Sequence, residues 1–264
     1  MAKELAFRDE AAAEYERAFA HVSAYFIPTL FDAANLSAGM RVLDVAAGTG
    51  LGAEEALARV GPDGHVTATD VSPAMVERAR ERLAAKPNAS AVVEDGQNLS
   101  FFFGSFDAVV CRLGLMFFPD PARGLSEFRR VLRAGGRASM SVLTVPERSY
   151  NGRINAIIAK HVSSLAEATE RTFSLGNESR LRSLLTEAGF VDVQVLAKRH
   201  SFKLPSFDAY YGPFERGGGS TGQALLSLSK DVRSAVREAV RSSLEDNGGP
   251  VEIEVEFRIA SGRR

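Results

Sequence analysis

The segment Asp44-Val45-Ala46-Ala47-Gly48-Thr49-Gly50-Leu51-Gly52 constrains the fold more than any other stretch of these 264 residues. It grows out of the apolar run Arg41-Val42-Leu43-Asp44-Val45 and leads into Ala53, Ala56, Leu57 and Val60, whose spacing marks one face of a helix. The resulting order is strand, glycine turn, helix. Glycine lacks a Cβ, so such a turn can adopt positive φ and leave bare backbone for a bound molecule to approach. In an open parallel sheet that turn stands at the carboxyl ends of the strands, where ligands bind.

The alternation repeats along the chain. His65 to Asp70 reads as a strand, after which Ser72 caps a helix with Pro73 at its first position and Val76, Ala79 and Leu83 inward. Ala91 to Val93 and Phe106 to Cys111 are further strands. Residues 120 to 133 form a helix through Leu125, Phe128 and Leu132, stopped by Gly135-Gly136, and Arg137 to Leu143 is a fifth strand. Strands alternating with helices imply right-handed crossovers and a doubly wound α/β sheet.

Outside this core the pattern loosens. Residues 1 to 38 read as an amphipathic helical cap carrying Tyr15, Phe19, Val22, Phe26 and Leu30. After Pro146 a helix with Ile154, Ile157, Ile158, Val162 and Leu165 suits a lid. Asn177 caps a helix with Leu181, Leu184, Leu185 and Ala188 inward, Gly189 stops it, and Val191 to Val195 alternates as a sixth strand. Residues 205 to 249 read as a Gly-rich loop at Gly217-Gly218-Gly219 followed by a helix through Val232, Val236 and Val240. Val251, Ile253, Val255, Phe257 and Ile259 close the chain in strict alternation, with Glu252, Glu254 and Glu256 facing water. The expected organisation is one domain over 1–264, with 39–145 as its ligand-binding half and 146–176 and 205–249 as lid and substrate insertions.

Composition narrows the partners. Lys plus Arg number 32 against 33 for Asp plus Glu, so no net field attracts nucleic acid or an anionic membrane. Cys111 is the only cysteine, which excludes an internal disulfide, and no His pair or carboxylate set has metal-ligand spacing. The first ten residues mix charges where a secretory signal needs an apolar core, and no apolar run approaches the roughly 20 residues of a membrane span. The expectation is a cytoplasmic protein without metal and without integral membrane association. The sequence leaves the oligomeric state open, a homodimer included.

Two further features qualify the glycine turn. Asp70, 20 residues after Gly50, ends the second strand, where a carboxylate can accept from both hydroxyls of a ribose. Asp95-Gly96-Gln97-Asn98-Leu99 follows the third strand, and there a carboxylate and the next N–H can pair with an exocyclic amine and a ring nitrogen. That pair recognises adenine. The plain alternatives are a tight turn, a helix cap at Asp70 and an ordinary polar turn at 95–99.

In order and spacing, Asp44 to Gly50, Asp70, Glu94 to Leu99, Ser105-Phe106-Asp107, Arg112 to Asp120 and Arg130 to Gly136 resemble class I S-adenosylmethionine-dependent methyltransferases. They look most like the branch of the ubiquinone and menaquinone biosynthesis C-methyltransferases and their small-molecule relatives. The resemblance covers residues 40 to 145 well and the remainder in outline. It implies a Rossmann-like sheet of seven strands with the last antiparallel, supplied by residues 251 to 261. It also implies S-adenosylmethionine as cofactor, with Gly48, Gly50 and Arg112 against the methionine part and Asp44, Ala46 and Gln97 as further cofactor-binding residues. Asp70 would then hold the ribose, Val71 and Met75 would line the adenine, and Asp95 and Gly96 would meet its edge. Ala46 departs from the family's usual first glycine, Gly96 from its frequent alanine, and Ala134 from its common proline.

Methyl transfer from a sulfonium is a direct displacement and needs no covalent enzyme intermediate, so the missing catalytic triad does not argue against an enzyme. A base would serve an oxygen or aromatic-carbon acceptor, and His161 and His21 are the candidates. His65 and His200 are read as structural or solvated, His200 lying where the sixth strand runs out. Phe101-Phe102-Phe103, Met116-Phe117-Phe118, Phe173, Tyr210, Tyr211 and Phe214 could line an apolar pocket or serve as core. The acceptor expected is a small, largely apolar molecule, aromatic, quinone-like or lipid-like. Two alternatives stay open. Gly48-x-Gly50-x-x-Ala53 also satisfies the dinucleotide fingerprint of an NAD(P)-dependent oxidoreductase, and a non-catalytic cofactor-binding protein would carry the same residues.

Overall fold

A computed structural model describes residues 9–162 and 170–264, with side chains from His21 onward. Its strands are β1 (Arg41–Val45), β2 (His65–Asp70), β3 (Ala89–Val93), β4 (Phe106–Arg112), β5 (Leu132–Leu143), β6 (Val191–Leu204) and β7 (Val251–Arg263). The helices are α1 (Asp9–Ala33), α2 (Leu51–Val60), α3 (Pro73–Leu83), α4 (Pro121–Val131), α5 (Gly152–Ala159), α6 (Glu178–Glu187), α7 (Phe207–Glu215), α8 (Gly219–Leu226) and α9 (Lys230–Ser243). The seven strands form one sheet in the order β3-β2-β1-β4-β5-β7-β6. β1 to β5 pair in parallel, and β7 runs antiparallel to β5 from Leu143↔Phe257 to Arg137↔Arg263. This is the expected doubly wound sheet with its antiparallel last strand.

The chain divides into two compact units. The sheet unit holds Phe26–Leu143, Ser174–Lys198 and Phe257–Arg264. Its core contains Leu43, Val45, Val109, Leu125, Phe128, Met140 and Leu181, all buried. The end of α1 is fastened here, with Phe26 stacked on Phe257 at 4.2 Å and the Ser139 hydroxyl donating to the Leu30 carbonyl at 2.8 Å. The helical unit holds the described residues of Met1–Tyr25, Thr144–Phe173 and Arg199–Glu256. Tyr150, Tyr210 and Phe214 are buried in it, and the Tyr210 hydroxyl donates to the Tyr150 carbonyl at 2.6 Å. Asn151 donates to Thr221, which donates to Asn155, both at 2.7 Å. Among the described residues no helix is long and apolar enough to cross a membrane.

Several sequence expectations are corrected. The first helix ends at Ala33 rather than reaching 38, because Asn35 takes a left-handed φ of 54° and turns the chain; residues 1–8, Leu165 and the side chains of Tyr15 and Phe19 lie outside the described residues. The helix expected over 120–133 ends at Val131, and β5 begins at Leu132. The sixth strand continues to Leu204, so His200 lies within it rather than at its end, stacked on Tyr25 at 3.8 Å. It is an edge strand in which half the residues are exposed and none is fully buried, so burial imposes little alternation for periodicity to detect.

The Gly-rich loop after residue 205 contains two short helices. Ser206 caps α7 by accepting from the Ala209 N–H, and Gly217 (φ 92°) makes the break before α8. A Cβ on Gly222 would stand 2.7 Å from the Gly217 backbone, so these glycines allow close packing rather than a loose loop. Glu256 does not face water; it is buried.

Candidate functional site

β1 lies between β2 and β4 with Val42, Leu43 and Val45 buried, a placement that favours a near-continuous apolar strand. The register then brings three turns to one sheet edge. Val45 pairs with Thr69, Asp70 pairs with Val93, and Asp44 pairs with Val110. The glycine turn, Asp70-Val71, Glu94 to Gly96 and Arg112 therefore leave the sheet side by side, all within the sheet unit.

The turn itself is built from left-handed backbone. Ala46, Gly48 and Gly50 have φ of 56°, 57° and 83°. Gly50 is required by packing as well, since a Cβ there would stand 3.1 Å from the Ala79 Cβ on α3. Above Gly48 a Cβ would meet nothing within 4 Å, so this backbone faces open space. The Gly48 N–H donates to one oxygen of Asp70 at 3.0 Å and the Ser72 N–H to the other at 2.9 Å. Both oxygens are thereby aimed, and each retains a lone pair for a further donor. Arg82 of α3 braces the turn by donating to the Thr49 carbonyl at 2.9 Å.

Beneath the turn lies Asp44, 1% exposed. No described residue hydrogen-bonds either of its carboxylate oxygens. Burial pushes its pKa up to about 7; the Arg112 guanidinium opposes the rise and the Asp70 carboxylate adds to it. A Cβ on Gly52 would stand 2.9 Å from Asp44 Oδ2 and 3.5 Å from Arg112 Nε, so this glycine admits both side chains. Buried polar atoms without partners are rare in folded proteins, and one at a ligand edge is an acceptor waiting for a donor or a cation.

The remaining expected residues fall into three groups. Val71 is 70% exposed beside Asp70, and Met75 is half-buried in the first turn of α3. Asp95 is exposed, Gly96 is buried against Phe118 and Val45, and Gln97 is held between Asp95 and the start of α4. The two histidines belong to the helical unit. His21 sits edge-on to Tyr150 at 5.8 Å and to Phe202 at 5.7 Å, and burial lowers its pKa. His161 is exposed just past α5.

The expected aromatic pocket residues are scattered. Phe102 and Phe103 are exposed in the turn that precedes β4, at the sheet edge opposite the glycine turn, and Arg264 covers the Phe103 ring. Phe101 packs on Phe106, and Tyr210, Tyr211 and Phe214 are buried. Phe117 is 65% exposed and follows β4 at the ligand edge. Gly52 is not among the expected site residues, and Phe118 is expected only as pocket wall or core. Gly52 stood within the glycine run as a usable signal; Phe118 covers both Gly96 and Gly124, a contact with no local signature.

A family model described as "Methyltransferase domain" matches residues 42–136. The demethylmenaquinone methyltransferase of Clavibacter sepedonicus is 38% identical over 169 residues, covering 60% of this chain and 68% of that protein. The protein of the same name from Staphylococcus aureus strain JH9 is 32% identical over 169 residues, covering 60% and 70%. Among solved structures, YcgJ from Bacillus subtilis superposes with a TM-score of 0.60 at 20% identity over 93% of this chain and 98% of that one. The phosphoethanolamine N-methyltransferase 2 of Haemonchus contortus gives 0.63 at 18% identity over 98% and 58%. These likenesses carry the fold, and the sequence relatives carry the family. The cofactor is S-adenosylmethionine, and the chain belongs to the class I S-adenosylmethionine-dependent methyltransferases, related to the quinone C-methyltransferases.

Proposed function

We propose that this methyltransferase acts on a small, largely apolar acceptor of aromatic or quinone-like character, and that the glycine-turn edge is its cofactor site. The observation that carries the site is Asp44, a buried carboxylate with no hydrogen-bond partner among the described residues, below a bare backbone turn. S-adenosylmethionine fits it chemically: its amine can donate the hydrogen bond that Asp44 lacks, and its positive charge would add to that of Arg112. In this reading Ala46, Gly48, Gly50 and Arg112 border the methionine part, Asp70 accepts from the ribose hydroxyls, and Val71 and Met75 flank the adenine. Asp95 and Gly96 meet its edge.

When bound, the cofactor supplies a methyl group on a sulfur that leaves neutral. The protein's task is to hold the acceptor in line and exclude water, and orientation of that kind can contribute roughly 7 to 11 kcal/mol. Residues 146–176 and 205–249, with the N-terminal helix, are read as the acceptor-recognising parts. Two observations favour an aromatic acceptor. The relatives act, by their names, on demethylmenaquinone, and the helical unit groups His21, Tyr25, Tyr150, His200 and Phe202 in ring contact. His21 suits a general base because its lowered pKa keeps the ring neutral and ready to accept a proton. His161 is the second candidate. The single cysteine, buried and free, accords with a reducing cytoplasm.

The test is a panel of phenols, quinols, amines and carboxylic acids with methyl-labelled cofactor, read by label transfer. Transfer to phenols or quinols alone supports the reading; transfer confined to amines or acids refutes the acceptor class. Full turnover at saturating acceptor in both His21→Ala and His161→Ala removes the base.

A further inference from the structure

Asp95 is exposed, and an exposed carboxylate normally rotates and presents either oxygen. Here Oδ1 receives the Gln97 N–H at 2.9 Å and the Gln97 side-chain amide Nε2 at 3.3 Å, while no described residue donates to Oδ2. The other end of the same amide is also engaged: Gln97 Oε1 accepts from the Asp120 N–H at 2.7 Å. The Gln97 carbonyl accepts from Arg123 Nε at 2.8 Å, and Asp120 caps α4 by accepting from the Arg123 N–H at 3.1 Å. The backbone on either side is equally constrained. Asn98 N–H donates to the Asp95 carbonyl at 2.8 Å, and a Cβ on Gly96 would stand 2.8 Å from both Phe118 Cε2 and Val45 Cγ1.

We infer that Gln97 is a positioning residue for adenine selectivity: by occupying Oδ1 of Asp95 and anchoring on Asp120, it presents Oδ2 to the exocyclic amine. This rests on the adenosyl site proposed above, and it replaces the expectation that Gln97 itself touches the cofactor. The amide is suited to the task because it donates at one end and accepts at the other, linking a carboxylate to a backbone N–H. Neither Glu nor Met can do both.

Calorimetry with S-adenosylhomocysteine and S-inosylhomocysteine, whose base carries a carbonyl in place of the amine, tests this. The wild-type protein should prefer the adenosyl compound. Gln97→Met should weaken adenosyl binding about tenfold and leave inosyl binding within about twofold, the size of one hydrogen bond to a charged group. Gln97→Glu keeps the acceptor for Asp120 but sets a carboxylate against Asp95, so it should lose at least as much selectivity while its thermal midpoint stays near wild type. It also serves if Gln97→Met fails to fold. Equal weakening of both compounds, or unchanged selectivity in Gln97→Glu, overturns the inference. A wild-type protein that binds both compounds equally overturns it too, yet leaves the methyltransferase site standing. Binding of neither compound refutes that site as well.

Discussion

Two buried carboxylates, Asp44 in the sheet unit and Glu256 in the helical unit, are handled in opposite ways. Burial pushes the Glu256 carboxyl up, but hydrogen bonds from Arg199 and Arg148 outweigh it and hold the pKa below the ordinary value. The Thr144 hydroxyl donates to its carbonyl, and Glu254 extends the ion network to both arginines. Asp44 has Arg112 in its field but no hydrogen bond, and its pKa rises to about 7. A charge answered from within the chain is scaffold, and a charge left unanswered marks where a ligand is expected.

The sharpest way to break this contrast is Asp44→Asn. It should weaken S-adenosylhomocysteine about 10- to 100-fold in calorimetry, the range for losing a charged hydrogen-bond acceptor. Without cofactor it should do the reverse to stability. Asp44 binds its proton more tightly folded than unfolded, so its contribution is lost as pH rises from about 4 to about 7. The variant escapes that loss and should be more stable above pH 7 by about 2–4 kcal/mol in urea titrations. Unchanged cofactor affinity would end the argument from Asp44.

Glu256→Gln should act with opposite sign, destabilising the protein by about 1–3 kcal/mol at neutral pH, since two half-exposed arginines lose their carboxylate. Glu256 stabilises above the ordinary carboxylate range and ceases to do so as acid protonates it, so the difference from wild type should vanish in acid. Gly50→Ala should cost about 1–2 kcal/mol, because φ is 83° and Ala79 is 3.1 Å from the new Cβ. The smallest effect belongs to Ala46→Gly. Relief of the left-handed strain at φ 56° exceeds the added chain entropy, giving a gain of about 0.5–1 kcal/mol and a slightly higher thermal midpoint.

The regions differ in legibility for physical reasons. Val42 to Val45, Ser72 with Pro73 and Asn177 declare strands and caps locally, because burial and capping act over a few residues. Gly48, Gly50, Asp70, Asp95 and Gly96 could be proposed from the sequence because a nucleoside site calls for such residues at strand ends, and Asp44 through the family resemblance. The helical unit offered less. The α7–α8 pair carries Pro213 and several glycines, which normally end helices, and only their mutual packing shows that the chain stays helical there. The placement of Phe102 and Phe103 away from the ligand edge was equally hidden, because an aromatic triplet reads the same in a pocket wall or a solvent-facing turn.

The sequence by itself determined the doubly wound order of elements, the glycine turn and the acids beside it, since hydrophobic period and turn chemistry are local properties. Only the tertiary structure decided which charges are answered. Whether Asp44 goes without a hydrogen bond while Glu256 holds two arginines depends on residues far apart in the chain, as does the anchoring of Gln97 on Asp120. Hydrogen-bond partners are chosen by proximity in space, and nothing in the linear order records that proximity.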